Sequence, residues 1–280
     1  MGRTVALFSL GGAPGVSVTA LALAAVWPDP AGAVLVEADA SGGDVAAWHR
    51  LQPSPGVTDL AAATRHRGAG PQADPAAYSQ TLPGGLSVCP GPASADPAGG
   101  AVQLLATNNP ALTAAPADPP AADAAGQRPA VLADLGRLAP RTPTAHIAAH
   151  AGEALLIVAD DTAQLRRVQQ SAAPLAESVE RLRVVVAGGS GSTDEFGSAL
   201  GLPVWSGRIP LDRQSAAFLR GEAHLRRPAR RPLFKAALAL ARTVAAPDAA
   251  APQPPPPQPR AQRYAAAEPP SGARGPDTQP

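Results

Sequence analysis

The sequence is short of the residues that usually announce a site. Among 280 residues there is one cysteine, Cys89, which excludes an intramolecular disulfide and any Cys-rich metal centre. It ends the apolar run Leu86-Ser87-Val88-Cys89 and reads as a buried structural thiol, not a nucleophile. Aromatic residues make up only 3%, so a core has to be assembled from Ala, Val and Leu. Lys235 is the single lysine among 23 basic residues. The arginine excess, together with the abundance of Ala and Pro, matches a GC-rich coding bias. Net charge is +1, which gives no global attraction to nucleic acid or to an acidic partner. Long apolar runs are missing too. Residues 5–10 and 20–26 flank Gly11-Gly12-Ala13-Pro14-Gly15, and each is too short to cross a bilayer. A strand, a turn and a helix explain that pattern better than a signal peptide. The expectation is a cytoplasmic protein without a transmembrane segment.

What is present is a globular composition, 45% hydrophobic, enough to build a core. Short β-rich apolar runs predict strands at 4–10, 33–39, 86–90, 131–135, 154–159, 183–187 and 204–209. Ala/Leu-rich stretches predict helices at 17–26, 57–64, 142–150, 163–180 and 233–244. Alternation of this kind predicts an α/β fold, a mostly parallel twisted sheet sandwiched by helices. Residues 68–83 read as a loop, and 110–129 as a broken helix or surface excursion. Residues 1–246 are expected to form the folded domain. From 247 to 280 the chain is rich in Pro, Ala, Gln and Arg, with four consecutive prolines at 254–257. That segment cannot build a core and is expected to be a passive disordered or polyproline tail.

The strongest local signal follows the first strand: Gly11-Gly12-Ala13-Pro14-Gly15-Val16-Ser17-Val18, leading into a helix. A glycine-rich turn at this point surrounds an anion with backbone amides and aims the helix's positive end at it. Taken alone, the loop fits a bare strand-to-helix turn equally well. Two further strand ends add carboxylates, Glu37-Ala38-Asp39 after the second strand and Asp134 in Val131-Leu132-Ala133-Asp134. Acids at the carboxyl ends of parallel strands line the crevice where open α/β sheets bind ligands. There they hold Mg²⁺ or orient a water.

This ordered set resembles the P-loop ATPases of the MinD/ParA (SIMIBI) group. The likeness is greatest to divergent actinobacterial members described as MinD-like, or as CpaE-like proteins of pilus-assembly loci. It covers roughly residues 3–245. The family loop reads K-G-G-x-G-K-[ST]; here Gly15 matches the glycine before the second lysine, and Ser17 the Mg²⁺-binding hydroxyl. The two lysines fall on Gly11 and Val16, so the Walker A motif is degenerate. The resemblance implies that residues 11–18 (Gly11, Gly12, Ala13, Pro14, Gly15, Val16, Ser17 and Val18) cradle the phosphates of ATP or ADP. It implies that Ser17 and Asp134 hold Mg²⁺, that Asp39 orients the attacking water, and that Pro210 in Ile209-Pro210-Leu211-Asp212 lies near the base. The family's N-R base contact is absent; Val186-Ala187-Gly188-Gly189 stands there.

Loss of the phosphate-loop lysine removes a charge-assisted contact worth a few kcal/mol at the transferring phosphate. The reading is therefore a nucleotide-binding switch with weak or absent hydrolysis, serving a protein assembly such as a pilus or secretion machine, or a chromosome, and dimerising across the nucleotide. A non-catalytic adaptor of the same fold is the alternative. A dinucleotide oxidoreductase is disfavoured, because the loop is not G-x-G-x-x-G; Glu37, as a ribose ligand, is its one supporting feature. The basic run from Arg220 to Lys235 suits a solvated surface better than non-specific DNA binding. The last helix suits packing on the sheet better than a membrane anchor. His146 and His150, one turn apart, fit an exposed helix face, not a metal pair. Asp160 and Asp161 read as caps of the helix that follows.

Overall fold

The computed structural model describes residues 3–12, 14–65, 73–113 and 128–246. Ala13, His66 and the expected tail at 247–280 lie outside the described residues. The chain runs β1 (Thr4–Ser9), α1 (Val16–Ala25), β2 (Ala33–Glu37), α2 (Val45–His49), α3 (Val57–Arg65), β3 (Gln80–Thr81), β4 (Ser87–Cys89), α4 (Ala95–Asn108) and α5 (Pro110–Thr113). It continues β5 (Ala130–Arg137), α6 (Pro143–His150), β6 (Glu153–Ala159), α7 (Thr162–Ser178), β7 (Leu182–Ala187), α8 (Thr193–Leu200), β8 (Val204–Ile209), α9 (Arg213–Leu219) and α10 (Pro232–Ala245).

The eight strands form one sheet in the order β3-β4-β2-β5-β1-β6-β7-β8. Every pairing is parallel except β3 with β4. Parallel strands need helical crossovers, and those crossovers cover both faces. Side chains alternate accordingly. Ala6 and Phe8 of β1 enter one core with Leu60, Leu105, Ile147 and Val168, from α3, α4, α6 and α7. Val5 and Leu7 enter the other, with Leu21, Leu219 and Leu240, from α1, α9 and α10. All six residues of β1 and all five of β2 are buried. The expected mostly parallel α/β sandwich is therefore what the chain adopts.

Helix α10 buries Leu233, Phe234, Ala237, Leu240, Ala241 and Val244, in the core that α1 shares. Its apolar face is spent on packing, as expected. Among the described residues no helix is long and apolar enough to cross a membrane. Cys89 is fully buried, and burial pushes its thiol above the ordinary range.

The strand order positions the site. The chain leaves β1 for β2, β3 and β4 on one side, returns to β5 beside β1, then crosses to β6, β7 and β8 on the other. The direction of travel reverses around β1, and ligands of open α/β sheets bind outside the carboxyl ends at that point.

Candidate functional site

Helix α1 begins without a side-chain cap. Its N-cap is Gly15, held in the left-handed region at φ 86°. A side chain at that φ is strained, so glycine suits the position. Helix N-termini leave backbone N–H groups unpaired, and a side-chain oxygen usually takes one of them. Helices α6, α7, α8 and α9 follow that rule, capped by Thr142, Asp161, Ser192 and Asp212. At α1, as at α4 and α10, the N-cap residue supplies no side-chain bond; at α1 those first amides follow the glycine-rich loop, a place suited to an anion. Within the loop, Gly11 and Pro14 are buried and Gly12 is exposed. Val16 is 7% exposed and packs into the core of Val5, Leu7 and Leu21. Val18 is half-buried against the same core. These two can offer a ligand only their backbones.

Ser17, in the first turn of α1, lies near the carboxylate of Asp134 and favours its charged form. Asp134 is 1% exposed and stands in β5 opposite Leu7 of β1 and Glu37 of β2. It also accepts the Gly136 amide at 3.0 Å. Burial pushes its pKa up to about 6, while Ser17 and the Gly136 amide pull the other way. Asp39 follows β2. It accepts the Ser41 amide at 2.7 Å, and its carboxylate lies against Gly136, where a Cβ would collide with it. Burial raises its pKa, the like charge of Asp44 adds to that, and Arg137 opposes it. The fold thus brings together the described loop residues 11, 12 and 14–18 (Ser17 among them), Asp39 and Asp134 from three separate elements. Among the described residues no cluster of three His, Cys, Asp or Glu side chains forms a metal site. A hydroxyl beside one carboxylate nevertheless fits Mg²⁺, which keeps waters and takes the rest of its ligands from phosphate.

Glu37 does a different job. It is 3% exposed. One oxygen accepts the amides of Asp44 at 2.7 Å and Val45 at 3.0 Å; the other accepts the Gly91 amide at 2.9 Å. It thereby fastens the start of α2 and the end of β4 to β2. Turned into the backbone, it cannot reach a ribose, so the one feature that favoured a dinucleotide is spent on structure.

Pro210 lies at the end of β8, three strands from β1, on the same carboxyl edge of the sheet. It lines an open recess of about 410 Å³ with Leu211, Asp212 and Arg231. Leu211, 79% exposed, lies over Gly188. Asp212 caps α9 through the Ser215 amide at 3.1 Å and takes both arms of Arg231. Those contacts, the Arg231 pair foremost, hold its pKa down at about 2. Part of the basic run is accounted for in this way, since Arg220 likewise pairs with Glu222 at 2.8 Å.

Three polar side chains near the site escape local sequence patterns. Arg208, in β8, donates to the Gly191 carbonyl at 2.8 Å, the Gly188 carbonyl at 2.7 Å and Asp160 at 2.9 Å. It holds the glycine segment where the family's base contact would stand, and its guanidinium sits 5.1 Å from the Phe196 ring. Asp160 therefore pairs with Arg208, and only Asp161 caps α7, through the Gln164 amide at 2.9 Å. Gln164 and Arg167, from α7, lean over Gly12 and Gly11 respectively. Nothing in the helical pattern of α7 marks either one, because the contact joins residues more than 150 positions apart. His146 and His150 remain on an exposed face, rings 4.1 Å apart, with His150 Nδ1 bonded to the His146 carbonyl.

No protein-family model matches the sequence, and no curated protein matches it in sequence. Solved structures do match. The ParA family ATPase from Chlorobium tepidum TLS superposes with a TM-score of 0.63 at 19% identity, over 86% of this chain and 99% of that one. The cell division ATPase MinD of Pyrococcus furiosus gives 0.62 at 15% identity, over 87% and 98%. The septum site-determining protein MinD of Pyrococcus horikoshii OT3, solved with Mg-ADP, gives 0.58 at 14% identity, over 88% and 96%. The chain has the fold of the MinD/ParA P-loop NTPases.

Proposed function

We propose that this chain is a nucleotide-binding switch of the MinD/ParA kind, acting in the cytoplasm to position or assemble a larger structure such as a pilus, a secretion machine or a chromosome. ATP or ADP with Mg²⁺ is its ligand, and hydrolysis is slow or absent. The observation that carries the reading is the placement of Ser17 beside buried Asp134, in the first turn of a helix whose N-cap is a glycine without a capping side chain. The amides of residues 11–18 bind the phosphates, Ser17 and Asp134 hold Mg²⁺, Pro210 borders the base, and Asp39 orients water. Bound Mg²⁺ neutralises charge on the phosphate oxygens. Val16, where the family carries its lysine, is sealed in the core, so the loop brings no cation of its own. That is why turnover is the weak part. The folded unit at 1–246 dimerises across the nucleotide and engages a protein partner in that state.

The burial of Val16 also favours a second reading, an adaptor that keeps the fold without the chemistry. Calorimetric titration with Mg-ATP, Mg-ADP and NAD separates the two. The switch requires Mg-ATP binding with a Kd below about 100 µM, equivalent to roughly 5.5 kcal/mol. The absence of any nucleotide binding supports the adaptor, and binding of NAD alone overturns both.

A further inference from the structure

We infer that Arg167 supplies, from the opposite helical layer, the phosphate-binding cation that the loop itself lacks. The inference rests on the nucleotide reading above and assigns a contact to one side chain.

The loop has Gly11 and Val16 where lysines would stand, and Val16 is in the core. Of the other basic residues near β1, Arg3 donates to the Ala246 carbonyl at 3.2 Å, and Arg137, at the exposed end of β5, bears on Asp39 within the candidate site. Arg167 is different. Its guanidinium packs directly on Gly11, so closely that a Cβ there would clash with Nη1 and Cζ. The side chain is solvent-exposed, and among the described residues it forms no ion pair.

The placement is built. Asp161 caps α7 through the Gln164 amide at 2.9 Å. Gln164 Oε1 accepts the Ala159 amide at the end of β6 at 3.1 Å, and its Nε2 is turned onto Gly12. Arg167 lies three residues further on, hence on the same side of the helix. The first turns of α7 are thereby pinned over the phosphate loop, with an amide donor above Gly12 and a guanidinium above Gly11. A guanidinium is always charged and offers paired donors that match two phosphate oxygens. Anchored on α7, it adds charge to the cradle of amides from a helix on the other face of the sheet.

The test is calorimetric titration of Mg-ATP into the full chain and into Arg167→Ala, Arg167→Lys and Arg166→Ala, with thermal melts to confirm that each is folded. Arg166 is the adjacent exposed arginine and carries the same charge change away from Gly11. Arg167→Ala is expected to weaken binding at least about tenfold, Arg167→Lys to recover part of the loss, and Arg166→Ala to stay within about twofold, as a direct charged contact requires. Equal affinities for wild type and Arg167→Ala overturn this inference and leave the nucleotide reading standing. Equal losses at 166 and 167 also overturn it, since they reveal a diffuse field. Wild type that binds no Mg-ATP overturns both readings.

Discussion

Glu37 is a carboxylate shut inside the fold, and its protonation should dominate the pH dependence of stability near neutrality. Burial pushes its pKa from the ordinary 4.5 to about 7, against the three amides that favour the charged form. In the unfolded chain the group returns to the ordinary value. Between about pH 4.5 and pH 7 the native state therefore holds a proton that the unfolded state has released. Stability is greatest at the acid end of that window and falls as pH rises through it. The shift corresponds to a loss of about 3 kcal/mol across the window. Glu37→Gln removes the titration. Its amide oxygen can still serve Asp44 and Val45, but its NH₂ then meets the Gly91 amide donor to donor. That fixed mismatch costs about 1–3 kcal/mol at every pH. The variant should be clearly weaker than wild type at pH 5 and close to it, or stronger, at pH 8. Asp134 and Asp39 also carry raised pKa values, but they titrate in both proteins and largely drop out of the difference. Urea unfolding of the two proteins at pH 5 and pH 8 supplies the four free energies. If the gap between wild type and variant is the same at both pH values, the assignment of a raised pKa to Glu37 is wrong.

Val16→Lys should strengthen Mg-ATP binding by about tenfold or more, even though burying the stem disturbs the core around a residue only 7% exposed; unchanged affinity in calorimetry means that the loop is misaligned with the family motif. Asp212→Ala removes both the cap of α9 and the pair with Arg231, and should cost about 1–2 kcal/mol at neutral pH. Because the Asp212 carboxyl titrates at about 2 when folded, from an ordinary 3.8, its contribution is intact above pH 4 and disappears as pH falls through 2. Thermal melts of wild type and variant should therefore converge in acid, and a constant difference down to pH 2 would contradict the pairing.

The sheet was largely readable from the chain itself. Seven strands appear within two residues of their expected limits, because buried parallel strands leave continuous apolar runs bounded by Gly, Pro or Asp. The eighth, β3, is a two-residue antiparallel edge and has no run to detect. Helices α2, α4, α8 and α9 escaped, and small residues hide two of them. Helix α4 opens Ala95-Asp96-Pro97 and contains Gly99-Gly100, which looks like a turn. Yet Ala98, Ala101, Val102 and Leu105 are buried on one face, so tertiary packing overrides weak propensity. Helix α8 is hidden likewise by Gly197 and the Gly/Ser-rich segment before it. At the site, the residues that end strands were legible because topology alone sends them to one edge. The contacts of Arg167 and Gln164 with the loop were not, since they depend on how far α7 tilts over that edge. Nor was the role of Glu37, which sequence position makes look like a ligand and burial makes a strut.

Cys89 gives the chain a built-in clock. It is the only thiol, fully buried, and it sits in β4 between β2, which carries Glu37, and the short edge strand β3. Modification needs a thiolate in contact with reagent, so a thiol reagent can act only on molecules in which β4 has come loose. The rate of labelling in otherwise native protein then reports the free energy of that opening, as amide exchange does for backbone groups. Because Glu37 ties the Gly91 amide just beyond β4 to the strand leading to Asp39, the same single cysteine registers how firmly one wall of the candidate site is held.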